Sequence, residues 1–264
     1  MNRILIILLG FGIVLSSSSC SKKMAVSSPS EAKTSTAPAK PMAATNTSDA
    51  MAVDVLKNYI DAIGGKDKLS AIKTMMSKMT ATTSMGDLTI TQFVKDGKLS
   101  MKTEMGGSTV MEQTFDGKVL QVSGMGGKQT ITDEATLKAT RRQTRLFDEL
   151  DQLLSTSSLK KFIGVEDLDG KKVNKITITD ADKAETTQYF DVATKYLVRT
   201  ITTTEMMGQK GTQTLDMADY KDVNGVKFPH SIKLTGGAVP FPLDMKIVSL
   251  MINSDLPDQL FKIN

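Results

Sequence analysis

From residue 50 onward the chain opens with apolar residues at helical spacing: Val53, Leu56, Ile60 and Ile63. That three-to-four periodicity predicts an amphipathic helix. Ser48 or Asp49 can cap it, and Gly64-Gly65 supplies a left-handed stop. Residues 66–72 read as a second short helical piece. The period then changes to two. Leu88, Ile90 and Val94 alternate with Thr89, Thr91 and Lys95, although Gln92 and Phe93 spoil the pattern. Leu99, Met101, Thr103 and Met105 alternate with Ser100, Lys102 and Glu104. Asp96-Gly97, Gly106-Gly107 and Asp116-Gly117 are tight-turn signals between these runs and the following ones at 110–115 and 118–122.

A helical stretch follows over 133–154, with Thr132 or Asp133 as cap and Leu146, Phe147, Leu150 and Leu153 on one face. Strand patterns then resume at 175–179, 185–190, 196–205, 211–220, 226–234 and 243–251. Residues 255–261 suggest a closing turn of helix. About ten or eleven strands in a meander bury one face and wet the other, and the buried face needs a cover. The predicted fold is α+β: a strongly curved antiparallel sheet, an open half-barrel, wrapped around helices.

The residues before this domain follow another pattern. Met1, Asn2 and Arg3 precede an apolar run of about 12 residues, 4–15, that only glycines interrupt. This is the layout of a secretory signal, and it falls short of the roughly 20 residues of a membrane span. Ser16 to Ser19 lead to Cys20, the single cysteine. Small residues ahead of a cysteine resemble the bacterial lipobox, with Leu15 set further back than usual. The expected organisation is a lipoprotein signal peptide at 1–19, a lipidated Cys20 with a Ser-, Ala-, Thr-, Lys- and Pro-rich tether at 20–49, and a domain at 50–264. No intrachain disulfide is possible. Ser21, Lys22 and Lys23 lack the acidic residues common in retention and surface-export signals. This favours the periplasmic face of the outer membrane.

Charge changes little in the domain. The whole chain carries +4, but setting aside Arg3 and the tether's Lys22, Lys23, Lys33, Lys40, Glu31 and Asp49 leaves the domain near neutral. Nucleic acid, which needs a concentrated basic face, is not an expected partner.

Several segments together resemble the outer-membrane lipoprotein-sorting family, the LolA- and LolB-type carriers and receptors. They are Tyr59-Ile60-Asp61-Ala62-Ile63-Gly64-Gly65 with Leu69, Ile72 and Lys73; Phe115-Asp116-Gly117-Lys118; Thr204-Glu205-Met206-Met207-Gly208-Gln209; the run from Asp219 to Pro229; and the closing stretch from Ile252 to Phe261. The resemblance spans residues 51–262 and rests on turn and strand signatures. It implies an unclosed barrel with a helical lid over an apolar cavity that receives acyl chains. The receptor's protruding apolar loop has no clear counterpart here; Val239-Pro240-Phe241-Pro242-Leu243 is the candidate for it.

Candidate chemistry is sparse. His230 is the single histidine and reads as an ordinary strand residue; no metal set accompanies it. No nucleophile elbow, phosphate loop or dinucleotide fingerprint appears, and no cofactor is expected. The acid pairs Asp148 with Glu149 and Asp180 with Asp182 read as solvated helix-surface and turn residues. Arg141, Arg142 and Arg145 read as a wet face, with lipid headgroup contact as the alternative. Met75, Met76, Met79, Met85, Met101, Met105, Met111 and Met125 crowd the first strands. Methionine fills irregular cores and also lines adaptable apolar sites. Met101, Met105, Met111 and Phe115 are the candidate ligand-lining residues. The sequence therefore points to a non-enzymatic, membrane-anchored binder of acyl chains, lipids or lipoproteins. The alternative is a structural or interaction module of the outer membrane.

Overall fold

The computed structural model describes residues 48–263 except 85, 125, 182, 207, 208 and 238–241, with only the backbone of 204–206 and 209–210. Cys20 and the segment 1–47, Met85, Met125, Asp182 and most of the 239–243 loop lie outside the described residues.

The chain begins with α1 (Ala50–Ile63) and α2 (Lys66–Ser70). Asp49 is the cap of α1: its Oδ1 accepts from the Met51 N–H at 3.0 Å. The helix buries Ala52, Leu56, Tyr59, Ile60 and Ile63. It ends at Gly64, φ 141°, and Gly65, φ 85°. A Cβ on Gly64 would stand 3.0 Å from the Gly225 carbonyl oxygen, so the helix stop is also a close approach to the sheet.

Six strands follow: β1 (Thr74–Thr83), β2 (Gly86–Lys95), β3 (Lys98–Met105), β4 (Ser108–Phe115), β5 (Leu120–Gly124) and β6 (Gly127–Ile131). The helices α3 (Glu134–Gln143) and α4 (Asp148–Leu154) come next. The chain then runs through β7 (Leu159–Leu168), β8 (Lys171–Thr179), β9 (Glu185–Asp191), β10 (Leu197–Met206), β11 (Gln209–Val223), β12 (Val226–Gly236) and β13 (Leu243–Ile252). A 3₁₀ turn at Asp258–Phe261 closes the domain.

All thirteen strands join one antiparallel sheet in the order β6-β5-β4-β3-β2-β1-β13-β12-β11-β10-β9-β8-β7. The sheet is open. β1 and β13 pair at its centre, so the two meanders form two arms, one ending in β6 and the other in β7. These edges are consecutive in the chain. The segment between them must pass from one edge of the sheet to the other, and α3 and α4 lie in that crossover. The topology thus places the helical cover over the concave face.

The strand count exceeds the expected ten or eleven by β1, β6 and β7. β1 carries three methionines and four threonines among its ten residues, β6 is largely exposed, and β7 alternates poorly around a bulge at Ile163, between Phe162 and Gly164. The single helix expected over 133–154 is two. Thr144 Oγ1 donates to the Arg141 carbonyl at 2.8 Å, and the chain leaves helical geometry until Phe147, φ −139°. A continuous helix would separate consecutive side chains by about 100°. The break lets Phe147 pack on Phe228, ring centroids 5.9 Å apart, while Leu146 also reaches the inner core.

Candidate lipid-binding site

Alternation along each strand and register across them sort the inner face into rows. The first row is Met75, Val94, Leu99, Phe115 and Leu120. The second is Ser77, Gln92, Met101, Gln113 and Val122. The third is Met79, Ile90, Thr103 and Met111, and the fourth Ala81, Leu88 and Met105. The four residues chosen from sequence, Phe115, Met101, Met111 and Met105, therefore share the concave face, one in each successive row. Phe115 and Met101 are fully packed, at 0 % and 2 % exposure. Met111 and Met105 are half-buried toward the far end.

The cover sits on these rows. Leu137 of α3 clusters with Val94, Leu99, Phe115, Leu120 and Val122. Phe147 and Leu150 join the core built on α1. Beside α4 opens a cleft of about 390 Å³ that includes Leu69, Ile72, Val94, Leu146, Phe147 and Leu154 in its lining. Val94 belongs to the first inner row, so the cleft leads onto the concave face. Leu154 stands at 52 % exposure.

Polar residues hold the cover down. Asp148 and Glu149, expected to be solvated, are buried at 7 % and 1 %. The crossover turns the first turn of α4 inward. Gln188 of β9 donates from Nε2 to Glu149 Oε1 at 3.4 Å, and Gln152 and Arg145 donate to the two oxygens of Asp148 at 2.8 and 3.1 Å. The arginine run is committed to ion pairs. Arg141 meets Glu134 at 2.6 Å, Arg142 bonds Asp180 on the far arm, and Arg145 meets Asp148. These arginines border a second hollow of about 260 Å³. Buried Lys160 donates to the Ser155 and Ser158 carbonyls at 2.8 and 3.0 Å, which fastens the C-terminal end of α4. Burial lowers its pKa. Ser48 Oγ donates to the Ser158 carbonyl at 3.2 Å, and the Asp49 N–H to that of Lys160 at 2.8 Å. The first described residues thus enter the domain beside the lid.

Sequence reasoning missed a further set. Ser77, Gln92, Thr103, Gln113, Gln188 and Gln213 are all buried on inward positions, and Gln143 is buried on α3. The signal was present at Gln92, which interrupted the apolar parity of β2. Gln113 between Met111 and Phe115, and Gln213 two before Leu215, interrupt theirs in the same way. Gln113 Nε2 lies 3.6 Å from Met111 Sδ.

His230 Nδ1 lies 2.9 Å from the Phe228 carbonyl oxygen, as a strand residue would. Among the described residues no group of three potential ligands could hold a metal ion, and no helix is long and apolar enough to cross a membrane.

The architecture is an open antiparallel half-barrel with a helical lid on its concave face, the fold of LolA-type proteins. No family model and no curated protein sequence matches the chain; solved structures do. A DUF1329 family protein from Desulfovibrio piger superposes with a TM-score of 0.53 at 10 % identity, covering 80 % of this chain and 97 % of its own. A putative outer membrane lipoprotein-sorting protein domain from Vibrio parahaemolyticus gives 0.51 at 11 % identity, covering 80 % and 96 %. A LolA superfamily protein from Nitrosomonas europaea gives 0.51 at 12 % identity, covering 80 % and 97 %.

Proposed function

We propose that this protein is a non-enzymatic binder of acyl chains, lipids or lipoproteins, held to the periplasmic face of the outer membrane through a lipidated Cys20. Residues 1–19 would be the signal peptide, and residues from Cys20 to 49 the anchor and tether. The observation that carries the reading is the methionine-bearing concave face under a lid whose edge opens as a cleft with an apolar floor of Leu69, Ile72, Val94 and Phe147 and polar residues such as Lys73, Asp96 and Asp151 among its lining. Each methylene taken from water there contributes about 0.8 kcal/mol. Methionine thioethers adapt to chains of differing length and unsaturation. The lid is fastened both by the apolar packing of Leu137, Phe147 and Leu150 and by the polar contacts of Asp148, Glu149 and Arg142. The chain from Ser21 onward, freed of detergent and offered phospholipids and lipopeptides, should retain them in native mass spectrometry. Failure to retain any acyl compound would overturn the reading. Label from a fatty acid should enter the full chain and disappear in Cys20→Ala.

A second reading, an interaction module of the envelope, draws on one feature. β7 is an edge strand that exposes Ile163 and Val165, at 45 % and 56 %. Edge strands with apolar side chains are templates for pairing with another chain.

A further inference from the structure

The concave face contains more hydrogen-bonding capacity than a hydrocarbon chain can use. Gln92 is 0 % exposed, and neither its amide nitrogen nor its amide oxygen has a partner among the described residues. Gln143, on the buried face of α3, is 2 % exposed and equally unpartnered. Ser77 Oγ, opposite Gln92 in the same row, and Thr103 Oγ1, one row further along, also lack partners. A buried polar atom without a partner is destabilising, because its water hydrogen bonds are lost and nothing replaces them. Natural proteins keep few of them, and each needs a reason. Ser77, Gln92 and Thr103 sit side by side on the sheet, next to Met79, Ile90 and Met101, while Gln143 belongs to the buried face of the covering helix α3.

We propose that the site takes an acyl lipid whose ester or amide carbonyl enters the interior and is bonded there by Gln92 and Gln143, with the tails along the methionine rows. The inference rests on the acyl-binding reading and narrows it. Two amide groups and two hydroxyls offer N–H and O–H donors to a carbonyl oxygen. The glutamine oxygens accept from an amide N–H or a free hydroxyl of the same linkage region. Ester-linked phospholipids and acylated lipopeptides both carry this chemistry, whereas alkanes and dialkyl ethers lack the carbonyl.

The test uses the full chain in micelles of a detergent shed in the gas phase, titrated in native mass spectrometry. The ligands are a diester phosphatidylglycerol, its dialkyl-ether analogue with the same chains, and a triacylated lipopeptide. Wild type should favour the diester over the diether by about tenfold, the equivalent of one hydrogen bond kept from going unmade. Gln92→Leu and Gln143→Leu, made separately, should each reduce that preference while melting at or above the wild-type temperature without lipid. Stronger retention of the lipopeptide than of the diester would identify the source of the carbonyl as protein-bound; the reverse would identify it as phospholipid. Equal binding of diester and diether, or a preference that survives both substitutions, would overturn the inference and leave acyl binding standing. Retention of none of the three would overturn both.

Discussion

Glu149 of α4 and Gln188 of β9 meet across the concave face, amide nitrogen to carboxylate oxygen at 3.4 Å, and both are 1 % exposed. The contact joins the lid to the β7–β13 arm. Burial first, and then nearby groups that include Glu149, raise the phenol pKa values of Tyr59 and Tyr220. Tyr220 is held as a donor to the Leu197 carbonyl at 2.7 Å. Glu149→Ala leaves the Gln188 amide without its acceptor, at a cost of about 1–3 kcal/mol. Hydrogen exchange should accelerate across residues 132–158 and little elsewhere. Unchanged exchange in α4 would show that the lid is held by other contacts.

Gly64 and Gly65 end the same helix but face different surroundings. Both have positive φ, yet only Gly64 approaches the Gly225 carbonyl and the Val226 side chain; a Cβ on Gly65 meets nothing within 4 Å. Gly64→Ala combines backbone strain with a clash and should lower stability by about 2–3 kcal/mol, Gly65→Ala by about 1 kcal/mol. Chemical denaturation of the two variants checks the order, which is the informative quantity.

What the sequence could show depended on how local the cause was. Asp96-Gly97 and Asn224-Gly225 have positive φ at both residues, a demand that few residue pairs meet, so both hairpins were legible. The helix caps were legible to within one residue, as Ser48 or Asp49 and Thr132 or Asp133, because a side chain accepting from a first-turn N–H is a local contact; the structure selects Asp49 and Asp133. β1 was not, because Met75, Met76 and Met79 carry no strand preference and its alternation is hidden among threonines. The break at Thr144 was not legible either, since it answers to Phe228, far along the chain. The four inward residues from Met101 to Phe115 could be read because parity alone sets the face of a strand. The burial of Asp148 and Glu149 follows from the path of the crossover, which no local pattern encodes. Gln92 was visible as an interruption, but its meaning needed the register that sets it beside Ser77 and Met101.

Asp133 gives a pH dependence with a definite sign. Its Oδ1 accepts from the Thr136 N–H at 2.9 Å, and that backbone hydrogen bond lowers its pKa. The folded state therefore binds fewer protons than the unfolded state, whose carboxylates titrate near about 4. Its contribution is fully present above the unfolded value and is lost as pH falls through the lower folded value. Asp258, lowered by its hydrogen bond and charge contact with Lys95, adds in the same direction. Melting temperature should fall steeply only below about pH 4. Asp133→Asn keeps a neutral cap, so its deficit against wild type at neutral pH should shrink on acidification. A deficit independent of pH would contradict this account of the cap.

Leu154 and Val165 separate the two functional readings. Each is an exposed apolar residue, Leu154 in the lining of the cleft beside α4 and Val165 on the edge strand β7. Replacing either by aspartate removes no packed core atom, so stability should change by only about 0.5 kcal/mol. Binding should not treat them alike. Under acyl binding, Leu154→Asp sets a carboxylate where a hydrocarbon chain must pass. Desolvating it should weaken retention by about tenfold, while Val165→Asp retains lipid as wild type does. Under the interaction reading the pattern inverts: Val165→Asp loses its partner in the envelope, and Leu154→Asp behaves normally. Lipid retention by mass spectrometry and cross-linking in intact membranes, run on the same two variants, place the function either in the space beneath the lid or along the edge of the sheet.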